Sequence, residues 1–60
     1  MNNSVHDEIV QAFNNYLTEA STFDEKGVKA AAARARKALG DLGKLTKTRR
    51  AEIQDKKNSM

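Results

Sequence analysis

The apolar residues of this chain recur at helical spacing, and no proline interrupts them. Ile9, Phe13, Tyr16, Ala20 and Phe23 follow one another at intervals of 4, 3, 4 and 3 residues, and Val10 and Leu17 widen the stripe. This is the period of one helix face. No segment shows sustained alternation or a hairpin dipeptide, so strands are not expected. Ser4 precedes the stripe and Asp7 follows it three residues on, a capping arrangement that also sets Asp7 and Glu8 at the positive end of a helix. A first helix is expected over about residues 4–24.

A second helix is expected over about residues 28–55. The run from Lys29 to Leu39 consists of Ala, Lys, Arg and Leu, all strong helix formers. At about 100° per residue, Val28, Ala31, Ala35, Ala38, Leu39, Leu42, Leu45 and Ile53 fall on one side. Gly40 and Gly43 oppose this helix, at a cost of about 1 kcal/mol each against Ala. Gly43 borders the apolar stripe, where a partner helix could approach. Gly27 is the natural punctuation between the helices, because a glycine just past a helix end takes the left-handed conformation that closes it. Thr22 with Glu25 offers a competing start for the second helix, through a capping box. The fold class is therefore all-α: a two-helix antiparallel hairpin forming a single domain over residues 1–60, with the polar tail 56–60 frayed.

Of the hydrophobic residues, nine are Ala and two are terminal Met, which leaves twelve large apolar side chains in 60 residues. A domain this small is marginal alone, and with no Cys it has no disulfide staple. Phe13, Tyr16 and Phe23 are expected in the core, packed against the Ala-rich start of the second helix. Two such hairpins sharing a core would form a dimeric four-helix bundle, so a homodimer is expected.

The net charge of +3 conceals a division. Up to Glu25 there is no Lys or Arg, and Asp7, Glu8, Glu19, Asp24 and Glu25 give −5. From Lys26 onward eleven bases stand against three acids, giving +8. Such asymmetry points to a polyanion or an acidic membrane surface as partner of the second half, although the halves of a hairpin could also simply attract each other. Lys26, Lys29, Arg36, Lys37, Lys44 and Lys47 fall in a sector of roughly 100° almost opposite the apolar centre of the second helix, flanked by Arg34 and Arg50. These eight residues are the candidate DNA contacts. A row of cations matches a row of phosphates, whereas no Asn or Gln on that face offers a base-reading code.

The run from Glu25 to Lys37, EKGVKAAAARARK, is similar to the EKGNKAAAxRxR signature of the bacterial histone-like proteins named after eukaryotic linker histones. The stretch from Leu42 to Arg50 resembles the spaced Leu, Lys and Arg pattern that follows it in chlamydial and Bacteroidetes members. The resemblance covers about half the chain. It implies a nucleoid-associated, cytoplasmic DNA-binding protein with a short helical domain, not the winged helix of eukaryotic linker histones. Val28 stands where the family has Asn, which weakens the expected helix cap, and the family's Lys-rich tail has no counterpart here. DNA binding is thus implied more firmly than DNA condensation.

Enzymatic activity finds no support. The lone His6 lies beside Asp7 and Glu8 in the first turn, and neither metal-ligand spacing nor a glycine-rich phosphate loop is present. No catalytic residue, cofactor, metal or small-molecule substrate is expected. The expected partner is duplex DNA, with RNA as a variant. A membrane is not expected, because the apolar face is largely Ala and has no Trp. The alternative function is a helical assembly module whose basic face docks an acidic protein.

Overall fold

The structure is a computed structural model and describes residues 4–60. It consists of two helices, α1 (Val5–Lys26) and α2 (Lys29–Asn58), joined by Gly27 and Val28 and packed against each other as a hairpin. Each boundary has a local cause. At the start of α1 the Ser4 hydroxyl accepts the Asp7 N–H at 3.1 Å, as the capping pattern predicts. At its end Gly27 takes φ 66°, ψ 29°, and its N–H donates to the Phe23 carbonyl at 2.8 Å. Gly27 thus closes the helix from the left-handed region, and α1 continues to Lys26 rather than stopping near 24. The competing start at Thr22 is not used. That hydroxyl donates to the Thr18 carbonyl inside α1 instead.

α2 begins without a side-chain cap at Val28, in keeping with the loss of Asn from the family pattern. It runs unbroken through Gly40 and Gly43 and continues past the expected end near 55 to Asn58. Ser59 closes it, with its N–H and its hydroxyl both donating to the Asp55 and Lys56 carbonyls. Lys56 and Lys57 sit in this last turn, where positive charge meets the negative helix end.

The packing departs from expectation in one respect. The buried hydrophobic residues are Ala12, Ala31, Ala35 and Ala38. Phe13 and Phe23, expected in the core, remain 49% and 43% exposed, while Tyr16 is half-buried. Small side chains let two helix axes approach to the short end of the usual 8–10 Å range, so the alanines take the line of closest contact. Phe13 is then displaced to its side, whereas Phe23 shares the face of Ala12 and is exposed because it lies next to the turn, where α2 is only beginning. Leu39 and Ile53 likewise stay largely exposed, whereas Leu42 and Leu45 are half-buried.

Both helices lie in one layer, with extents of 48 × 22 × 13 Å. A two-helix layer has two broad faces and two long edges. An ion pair from Arg34 Nε to Glu19 Oε2, at 2.7 Å, ties α2 to α1 and fixes their register. By that register Val5 stands level with residue 48, so the last turns of α2 extend beyond α1, and residues 50–60 are all exposed.

Candidate nucleic-acid interface

The basic residues are placed by the alanines on the far side of α2. With Ala31, Ala35 and Ala38 buried against α1, the helical period carries Lys29, Arg36, Lys37, Lys44 and Lys47 to within about 60° of the opposite direction. These five form the outer edge of the hairpin and all are exposed. From Lys29 to Lys47 the row extends about 27 Å at 1.5 Å per residue. Ala33 and Gly40 lie between the cations, so nothing bulky interrupts the row.

The other three sequence-predicted residues separate from this edge. Lys26 is the last residue of α1, and the left-handed Gly27 breaks the wheel on which it seemed to continue the α2 row. Arg34 turns toward α1 and is held by Glu19. Arg50 is exposed on the other flank of α2, beyond the start of α1. Sequence reasoning placed Arg34 beside the basic sector correctly, but nothing in the spacing of α2 alone marks Glu19 as its partner. The signal exists only once the register of the two helices is known.

Local charge also differs among the five. Lys37 donates to Asp41 Oδ2 at 3.2 Å, one turn further along. Among the described residues no ion pair involves Lys29, Arg36, Lys44, Lys47 or Arg50. Arg49 is half-buried and pairs with Glu52 at 3.1 Å. The acids Glu8 and Asp41 line a groove with Gln11, Asn15 and Lys44 on one broad face, and through Lys37 Asp41 is the acid that reaches the outer edge.

This arrangement suits an extended polyanion rather than a small molecule. The cations lie in a line on a convex helix edge, and their chain of contacts has length without depth. Among the described residues no three His, Cys, Asp or Glu side chains gather to hold a metal ion. Neither helix is long and apolar enough to cross a membrane.

No curated protein and no solved structure matches the chain. A family model described as histone H1-like protein Hc1 matches residues 3–59, which takes in both helices and the turn between them. The chain, an all-α hairpin with its free cations along one edge, therefore belongs to the histone H1-like protein Hc1 family, a family with a histone-like, DNA-binding role.

Proposed function

We propose that the chain is a nucleoid-associated architectural protein that binds duplex DNA without sequence preference, through the outer edge of α2. The observation that carries this reading is the row of Lys29, Arg36, Lys37, Lys44 and Lys47, exposed on the side of α2 turned away from α1. Such a row gains binding free energy by releasing the counterions condensed on DNA. It positions the protein on the phosphates and reads no bases. Arg50 and Lys26 lie off this edge, and Arg34 serves first as a tie between the helices. Duplex RNA is a variant ligand of the same edge, because backbone electrostatics distinguishes the two duplexes only slightly.

The test is a mobility shift on random-sequence duplex DNA at low salt, comparing the native chain with a variant in which all five edge residues are Gln. Binding by the native chain, lost in the variant at unchanged helicity, is the expected result. Retention of binding by the variant would contradict the reading. Failure of the native chain to bind at low salt would instead favour the assembly module.

A further inference from the structure

One broad face of the hairpin carries the large apolar side chains that the alanine contact leaves out. On α1, Phe13 and Leu17 lie roughly 100° and 140° around from the buried Ala12. On α2, Leu39 lies about 80° around from the buried Ala31 in the same rotational sense. The two helices run in opposite directions, so these equal senses turn both sets to the same broad face. Phe13, Leu17 and Leu39 are 48–49% exposed there, and Val10, about 160° around from Ala12 and 45% exposed, lies beyond them on the outer edge of α1. The opposite broad face is polar and carries Glu8, Gln11, Asn15, Glu19, Arg34 and Asp41.

We propose that the apolar broad face is where a second copy of this chain docks, with α1 of each copy lying on α2 of the other. The size is close to what is needed: over the 22 residues of α1, about 33 Å, a face 22 Å wide offers about 700 Å² in projection, against about 800 Å² of accessible surface from each partner in a stable interface. The need is plain as well. Within one hairpin, Ala12, Ala31, Ala35 and Ala38 are the buried hydrophobic residues, and a chain this short rarely holds a fold on so small a core.

Charge chooses between the two face-to-face arrangements. A two-fold axis across the helices would set acidic α1 on α1 and basic α2 on α2. A two-fold axis along the helices sets α1 on α2, which pairs the −5 half of each chain with the +8 half of the other. The second axis also preserves level. Because Glu19 stands opposite Arg34, residues 13–17 stand level with residues 36–40, and Val10 with Gly43. Leu39 of the second copy therefore falls between Phe13 and Leu17. A Cβ at Gly43 would meet nothing within 4 Å in its own hairpin, and this open space lets α1 of the second copy approach level with Val10.

In this dimer the two α2 helices occupy diagonal corners, and their outer edges face opposite ways. If those edges bind DNA, as proposed above, the dimer joins two duplexes. The docking itself does not depend on that reading.

Sedimentation equilibrium without DNA tests it, using Leu17→Glu, Leu39→Lys and an equal mixture of the two. The native chain is expected at twice its chain mass in the micromolar range. Each single variant is expected to weaken self-association by at least about thirtyfold. The mixture is expected to regain the double mass, because Glu at 17 meets Lys at 39 of the other chain. A monomeric native chain at 100 micromolar would overturn the proposal and leave this face to another partner. Failure of the mixture to recover, with circular dichroism showing both variants helical, would overturn the α1-on-α2 arrangement. Should either variant lose helicity, Phe13→Ser in the otherwise native chain carries the same test through its sedimenting mass. Mobility shifts on the same samples separate loss of dimer from loss of DNA binding.

Discussion

The three glycines of the chain all face open space but differ in backbone conformation and position, and replacing each by Ala tests the fold reading with opposite signs. Gly40 lies inside α2 on its outer edge, and a Cβ there meets nothing within 4 Å. The only change is intrinsic, so Gly40→Ala is expected to stabilise the hairpin by about 1 kcal/mol. For a domain of this size that raises the melting midpoint by about 4–8 °C. Gly27 has φ 66°, where a Cβ is strained whatever the space around it. Gly27→Ala is therefore expected to cost about 1–2 kcal/mol and to lower the midpoint correspondingly. Gly43 has the same helical conformation and the same open surroundings as Gly40 within one hairpin. In the proposed dimer, however, a second copy approaches it, so Gly43→Ala is expected to gain less than Gly40→Ala. The assay is thermal unfolding followed by circular dichroism at 222 nm, at matched concentrations without DNA. A lowered midpoint for Gly40→Ala, or a raised one for Gly27→Ala, would refute the reasoning.

Two further substitutions probe single contacts. Ser4→Ala removes the hydroxyl that accepts the Asp7 N–H, and is expected to cost about 1 kcal/mol in the same melting assay. Arg34→Gln breaks an ion pair whose side chains are 56% and 23% exposed, so less than about 1 kcal/mol is expected. Because Arg34 is turned to Glu19 rather than outward, its replacement is also expected to weaken the DNA mobility shift less than Arg36→Gln does.

Much of this fold is written in local patterns. The stripe from Ile9 to Phe23, the cap at Ser4 and the glycine at 27 each specify their element without reference to distant residues, and each reappears in the structure. The helix ends shifted by a few residues because they depend on carbonyls that any nearby donor can satisfy, such as those taken by Ser59. The core was less readable. Periodicity shows how wide an apolar stripe is, but not which half of it a neighbouring helix will cover. In α1 the stripe spans both Ala12 and Phe13, and close approach favoured the alanine. The candidate interface was readable for the same reason that the helices were. Lys29, Arg36, Lys37, Lys44 and Lys47 share a face by spacing alone, whereas Arg34 and Lys26 depend on the partner helix and the turn.

The central claim is that five cations on the α2 edge meet DNA phosphates, and the salt dependence of binding counts them. With each neutralised phosphate contributing about −0.9, log K against log salt is expected to fall with a slope of about −4.5 on duplex DNA. Between about 50 and 200 mM salt that amounts to a loss of about 500-fold, the same for unrelated duplex sequences. A slope shallower than about −2, or one sequence still bound tightly where others are released, would contradict binding through the backbone by this edge.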